Sequence, residues 1–127
     1  MQSGIGRVLV LERALEAGIS IETMLVSGGY EARGAEDALT ALRMLDEWKP
    51  AAIVVDLRAP ERQGYQLLAA LANRLRSDDV PLVLVGETPN LLKKLAPVPS
   101  ALVPTPVDRE LLVSAVVRVS RRMAVET

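Results

Sequence analysis

Two carboxylates, one guanidinium and one hydroxyl follow apolar runs of this sequence, at places where side chains from separate segments can act together. Glu12 and Arg13 directly follow one apolar run, and Asp56 follows another. Thr105 comes just after a short apolar segment near the end of the chain. Carboxylates bind Mg²⁺ or pair with a cation such as a guanidinium. If the fold brings these positions together, the chemistry they predict is metal binding or ion pairing.

The elements that must position these residues are predicted by hydrophobic pattern. Continuous apolar runs predict strands buried on both faces, as in a parallel sheet. The predicted strands lie at 7–11, 30–33, 51–55, 82–85 and 101–103. Stretches with helical spacing separate and follow them. Five strands alternating with five helices predict an α/β domain, residues 1–127, with a doubly wound parallel sheet and helices on both faces.

Local signals mark the ends of the predicted helices. Gly28 is a stop for the first helix, Asp37 caps the second, and Asp108 caps a last helix that runs to Met123. A short helix over 90–96 is predicted between two proline-containing segments. In a sheet of this kind, sites form beyond the carboxyl ends of the strands. The residues after each strand are therefore expected to converge.

Composition excludes several classes of function. The chain has no cysteine and no histidine, which argues against zinc sites of the usual kind, disulfides and nucleophiles activated by histidine. Fifteen Lys and Arg residues nearly balance sixteen Asp and Glu, so no global field attracts nucleic acid or a membrane. We expect a cytoplasmic protein, since the first residues lack a signal-peptide pattern and no apolar stretch spans a bilayer.

The order of short motifs resembles the receiver domains of two-component response regulators (CheY-like). Residues 56–64, DLRAPERQG, look like the D-L-x-M-P-x-x-D-G stretch that carries the phosphoacceptor aspartate of that family. Residues 29–37, GYEARGAED, look like its G-Y-E-V-x-x-A-x-D-G, and residues 105–108, TPVD, fall where it has K-P-F-D. The resemblance covers nearly the whole chain. It implies the flavodoxin-like (βα)₅ fold and a role in signal transduction.

The same resemblance exposes a degenerate pocket. Receivers hold magnesium with two acids after the first strand plus the phosphoacceptor, and bind the phosphoryl oxygens with a Thr or Ser and a Lys. At the corresponding positions this sequence has Glu12 and Arg13, then Asp56 as phosphoacceptor, Gly86 and Thr105. Only the aspartate is intact. The resemblance therefore implies a pseudo-receiver with no cofactor, in which magnesium is disfavoured.

Arg13 has two interpretations. It turns toward Asp56 or Glu12 and replaces the charge of the missing metal and lysine, or it forms a solvated pair with Glu12 at the strand end. Asp56 likewise is either a remnant that caps the following loop or an ion-pair or weak metal partner. Gly86 is most simply a residue that lets its loop pass close to a neighbour.

The predicted interaction face comprises the helix over 90–96, the last strand and the last helix. The last helix has more apolar residues than one core stripe uses, and Val113 and Val117 fall outside that stripe. Leu102 replaces the aromatic switch residue of the family. The residues of this face are Lys93, Lys94, Leu102, Val113, Val117, Arg118 and Arg121. We expect a homodimer or a protein partner here, with nucleic acid disfavoured.

The hypothesis is a stand-alone, atypical receiver domain that is not an enzyme and acts through protein–protein contacts without the conventional phosphorylation switch. One alternative is a phosphoacceptor response regulator, phosphorylated on Asp56 by a histidine kinase. A second is a small flavodoxin-like domain that binds a nucleotide or another anion, with Arg13 as its cation. The lack of a Gly-rich loop after the first strand argues against this second alternative.

Overall fold

A parallel five-stranded sheet with helices on both faces forms the domain in a computed structural model. The structure describes residues 6–11, 20–56, 63–78, 80–86, 100–104 and 107–126. The elements are β1 (Arg7–Leu11), α1 (Ile21–Ser27), β2 (Glu31–Ala35), α2 (Ala38–Glu47), β3 (Ala52–Asp56), α3 (Gln63–Asp78), β4 (Leu82–Val85), β5 (Ser100–Val103) and α4 (Arg109–Glu126). The strand order is β2-β1-β3-β4-β5, which confirms the predicted flavodoxin-like fold.

The core has two layers because side chains alternate between the two faces of each strand. In β1, Val8 and Val10 pack against the face covered by α1 and α4. Leu9 and Leu11 pack against the opposite face, under α2 and α3. All four are fully buried, and burying each such side chain contributes about 1.5–3 kcal/mol before chain entropy is counted. Continuous apolar runs are therefore required in the central strands.

Caps fix where the helices start and stop, as the sequence predicts. The Asp37 carboxylate accepts the backbone N–H of Thr40 at 2.8 Å and starts α2. Gly28 ends α1 by donating its N–H to carbonyls of the last turn. The Asp108 carboxylate accepts the N–H of Glu110 at 2.9 Å at the start of α4. Lys49, after α2, takes a left-handed φ of 54° and helps to turn the chain toward β3.

Some predicted boundaries differ from the observed ones. The second strand was expected over 30–33, whereas β2 spans Glu31–Ala35. The predicted helix over 90–96 lies outside the described residues, so four of the five predicted helices are described. No described helix has both the length and the apolar character needed to cross a membrane.

Candidate functional site

Asp56 is the last residue of β3, at the carboxyl edge of the sheet. It pairs in register with Val85 of β4, and its neighbour Val55 pairs with Leu11 of β1. The side chain is only 6% exposed, and among the described residues it is the one charged side chain in the buried class. A buried charge requires partners, and Asp56 has an interaction partner in the structure. The carboxylate is thus held at the point where sheets of this type bind ligands.

Gly86 lies one residue beyond the end of β4, next to the strand that ends in Asp56. It is buried and has a φ of 131°, which L-residues with a side chain rarely adopt. Its backbone N–H donates to the carbonyl oxygen of Val103 at 3.0 Å, joining the ends of β4 and β5. At the position where the family resemblance implies a hydroxyl, this chain therefore has a glycine whose backbone makes the contact to β5 and whose φ favours glycine.

The other predicted pocket residues, Glu12, Arg13 and Thr105, lie outside the described part of the chain. The sheet edge brings together Asp56 and Gly86, and the charge substitution by Arg13 stays a prediction. Within the described residues, no group of three or more acidic side chains is placed to hold a metal ion.

On the predicted interaction face, the described side chains divide into exposed and partly buried ones. Leu102 on β5 is 36% exposed, and Arg118 on α4 is exposed. Val113 and Val117 are partly buried and pack against the core layer under α1 and α4. Lys93, Lys94 and the side chain of Arg121 lie outside what the structure describes. Val113 and Val117 therefore offer a partner only part of their surface.

Val113 packs closely against the end of α1. A Cβ built on Gly28 would lie 2.8 Å from the Cγ2 atom of Val113. Leu111, in the first turn of α4, is instead 52% exposed and was not assigned to the face from the sequence. The sequence signal for its exposure is its place next to Leu112, which belongs to the core stripe. Adjacent helical residues point about 100° apart, so Leu111 has to point away from the core.

A cavity of about 460 Å³ lies at the opposite end of the sheet from Asp56, between the last turns of α2 and α3. Arg74 bridges it by donating to the carboxylates of Asp46 and Asp78, and these hydrogen bonds raise the pKa of Arg74. The spacing of Arg74 and Asp78 by four residues on one helix was a sequence signal for this pair. The link to Asp46 on α2 comes from tertiary packing alone.

Comparison with known proteins finds similarity to signalling proteins over much of the chain. No model of a known protein family matches it. The transcriptional regulatory protein PrrA of Mycobacterium leprae is 34% identical over 88 residues, which cover 68% of this chain and 37% of that protein. The crystal structure of a sensor protein from Polaromonas sp. JS666 has 27% identity and a TM-score of 0.71, covering 92% of this chain and 97% of its own.

A receiver domain provides another structural match. The signal receiver domain of a modulated diguanylate cyclase from Desulfovibrio desulfuricans G20 has 19% identity and a TM-score of 0.74, covering 97% of this chain and 99% of its own. That match shows the fold alone. The chain spans roughly a third of the length of the PrrA proteins it matches, 37% in Mycobacterium leprae and 34% in Mycobacterium tuberculosis. Its structural neighbours include signal receiver domains from Vibrio parahaemolyticus and Desulfovibrio desulfuricans G20, with TM-scores of 0.69 and 0.74.

Proposed function

We propose that this chain is a receiver domain of two-component signalling that acts through protein contacts, without the conventional phosphorylation switch. The similarity to PrrA and to solved receiver domains supports the signalling role. The burial of Asp56 at the carboxyl edge of the sheet matches the place of a phosphoacceptor. The residues around that position argue that the phosphoryl chemistry has been lost. The domain is proposed to have no catalytic activity of its own.

The observation that carries the proposal is the backbone of Gly86. A receiver needs a hydroxyl here to bind a phosphoryl oxygen and to report its presence by moving. At a φ of 131° a threonine or serine would be strained, and the Gly86 N–H is committed to Val103. Gly86 therefore lacks the hydroxyl, and its backbone conformation also disfavours any residue that would carry one. A single substitution at this position is not expected to restore the switch.

The residue types at the positions where receivers hold magnesium do not fit that ion. Mg²⁺ demands near-octahedral oxygen coordination and is usually bound through one or two carboxylates. This chain supplies Glu12 but has arginine at position 13, where the family has the second acid. A guanidinium beside a divalent cation is repelled by it. Thr105 at the lysine position also removes the cation that would stabilise charge on a transferred phosphoryl group.

The proposed contact surface comprises β5, α4 and the helix predicted from the sequence over 90–96. Exposed leucines lie on two of these elements, Leu102 on β5 and Leu111 on α4. Leu102 stands where receivers use an aromatic switch, and an aliphatic side chain there has no hydroxyl or ring edge with which to report phosphorylation. The surface would therefore bind its partner constitutively. A homodimer and a different protein partner both fit this proposal.

Incubation with acetyl phosphate and Mg²⁺, followed by intact-mass spectrometry, tests the proposal. We expect no stoichiometric phosphoryl adduct, so neither the wild-type chain nor Asp56→Asn should gain the mass of a phosphoryl group. Beryllofluoride should also leave the amide spectrum near Gly86 unchanged. An adduct that forms on the wild-type chain and is lost in Asp56→Asn would instead favour the alternative of a phosphoacceptor, for which the intact, buried Asp56 is the supporting observation.

A further inference from the structure

The outer edge of β2 is open among the described strands. This strand is at one end of the sheet and pairs with β1. The N–H of Glu31 donates inward to the carbonyl oxygen of Gly6 at 3.0 Å. Because backbone groups alternate in direction along a strand, the N–H and C=O groups of Ala32 and Gly34 point outward. The edge therefore offers hydrogen-bonding groups to an added strand.

Arg33 lies on this edge, and an aromatic ring positions its guanidinium. The guanidinium carbon is 4.8 Å from the ring centroid of Trp48, a cation–π contact. Trp48 is only 7% exposed, so the ring that supports Arg33 is fixed by the core. Among the described residues, Arg33 has neither a carboxylate nor a hydrogen-bond acceptor. Its planar set of N–H donors matches a carboxylate held in two hydrogen bonds.

The neighbouring arginine is already engaged. Arg7 donates from Nη1 to the carbonyl oxygen of Trp48 at 2.6 Å, and its Nε is 3.7 Å from Oε1 of Glu31. Arg7 also lies over the Trp48 ring, 5.7 Å from its centroid. It thus neutralises part of the charge of Glu31 and caps the carbonyl group of Trp48 at the end of α2. Within the part of the chain that the structure describes, Arg33 is therefore the cation available beside the open edge.

We propose that the edge of β2 binds an extended peptide segment that carries a carboxylate opposite Arg33. The segment adds a strand to the sheet by hydrogen bonding to Ala32 and Gly34, and its carboxylate pairs with the Arg33 guanidinium. Cross-strand neighbours on one face lie within about 4.5–5.5 Å, close enough for this pair. This surface is separate from the one in the proposed function, and the two can fail independently.

The charges around Arg33 restrict where the carboxylate can lie. Glu31 shares the face of β2 that bears Arg33, so a basic or neutral side chain is preferred opposite it. On the other face, Oε1 of Glu22 lies 3.1 Å from the position of a Cβ at Gly34, and this repels a second carboxylate there. The pattern that fits is one acid facing Arg33, with a basic residue two positions away opposite Glu31. A peptide with a basic residue on both sides of the acid meets this requirement in either strand direction.

A peptide fits this edge better than a nucleic acid does. Single-stranded nucleic acids stack their bases on accessible aromatic rings and follow grooves lined by several cations. Here the ring of Trp48 is buried and covered by two guanidiniums. The exposed carboxylate of Glu31 would repel a phosphate backbone, whereas an extended peptide needs only the backbone edge and one cation.

The test uses the acetylated and amidated peptide Thr-Lys-Val-Glu-Val-Lys-Thr, with a control peptide that has glutamine in place of glutamate. Trp48 is the sole tryptophan, so its fluorescence reports a change in the guanidinium above it. We expect a saturable fluorescence change and amide NMR shifts at Ala32 and Gly34. Because the chain has a net charge of -1, unspecific attraction favours the more positive control peptide. Tighter binding of the glutamate peptide than of the control would therefore run against this unspecific attraction, and it would indicate a specific pair with Arg33.

Arg33→Gln should weaken binding of the glutamate peptide about tenfold, equivalent to about 1.4 kcal/mol. Arg76→Gln is the matched control, since it removes another exposed arginine, on α3, and should leave binding unchanged. The comparison of the two peptides uses only the wild-type chain, so it stays valid even if a variant fails to fold. Absence of saturable binding in the millimolar range overturns the proposal, as do equal affinities of the two peptides or an unchanged affinity in Arg33→Gln. Displacement of the peptide by an oligothymidylate strand would overturn it in favour of nucleic acid.

Discussion

Gly86 and Val103 are joined by a backbone hydrogen bond of 3.0 Å that forms while Gly86 holds a φ of 131°. The bond links the chain just after β4 to the end of β5, next to the strand that ends in Asp56. A residue with a Cβ would have to leave this conformation or bear its strain, and leaving it would disturb the bond. The candidate site thus has a fixed backbone where related domains are expected to have a movable hydroxyl.

Substitution of Gly86 tests this arrangement directly. Gly86→Thr should lower the free energy of unfolding by about 1–3 kcal/mol, because a β-branched residue is strained at this φ. The same variant should not gain phosphorylation by acetyl phosphate. Urea unfolding measures the first effect and intact mass the second. Gly34→Ala is the control, since Gly34 lacks a positive φ, and a Cβ there lies 3.1 Å from the flexible end of the Glu22 side chain and in ordinary contact, 3.8 Å, with the carbonyl oxygen of Val10. Equal stability of Gly86→Thr and the wild type would contradict the strain.

Close packing between α1 and α4 gives a second prediction. Gly28→Ala places a Cβ 2.8 Å from Cγ2 of Val113, and overpacking of this kind costs about 1–3 kcal/mol. The φ of Gly28 is -89°, so the cost is steric. Val113→Ala in the same chain should recover part of the loss, which a double-mutant cycle measured by urea unfolding would detect. Additive effects of the two substitutions would show that the helices do not meet here.

Much of the fold follows from local patterns in the sequence. The central strands are continuous apolar runs because both of their faces are covered, and Asp37 and Asp108 mark helix starts by side-chain capping. The bounds of β2 were less accurate because an edge strand is half exposed and its residues, including Ala32 and Gly34, have weak strand propensity.

The candidate site was predictable in position but not in conformation. Asp56 was expected at the carboxyl edge because it follows an apolar run, and β3 ends there. The φ of Gly86 depends on its bond to β5, a contact between segments that are distant in sequence. The partial burial of Val113 likewise depends on the bare backbone of Gly28 on another helix, which periodicity along α4 alone does not reveal.

The N-cap of α2 predicts a pH dependence of stability. The hydrogen bond from the Thr40 backbone lowers the pKa of Asp37 below its usual 3.8. The ionised cap therefore stabilises the fold fully above the pKa of the unfolded chain, and this contribution is lost as pH falls through the lower pKa of the folded state. Asp37→Asn keeps a capping side chain that does not titrate. Between pH 6 and 2, the Tm of the wild type should fall more steeply than that of Asp37→Asn, and parallel curves would contradict this.

Arg13→Asp tests the proposed loss of metal binding by supplying the acid that related domains are expected to have. We expect this variant to bind Mg²⁺ in isothermal titration calorimetry, whereas the wild type does not. It should also be less stable in chelator, because three acids then repel one another at one sheet end. Arg109→Asp, an exposed change on α4, is the control for the added charge. A variant that binds no Mg²⁺ and melts alike with and without chelator would exclude charge substitution by Arg13.

The proposed contact surface predicts that Leu111 matters for association and not for folding. Its side chain is 52% exposed, so Leu111→Asp should leave the thermal melt cooperative and close to that of the wild type. Full burial of a leucine contributes about 1.5–3 kcal/mol, so loss of this contact should weaken association at least tenfold, measured by sedimentation for a homodimer and by titration with the partner for a different protein. Leu39→Asp is the matched control, because Leu39 is 69% exposed on α2, away from this surface. A Leu111→Asp chain that associates as the wild type does, or equal losses in both variants, would place the functional face elsewhere.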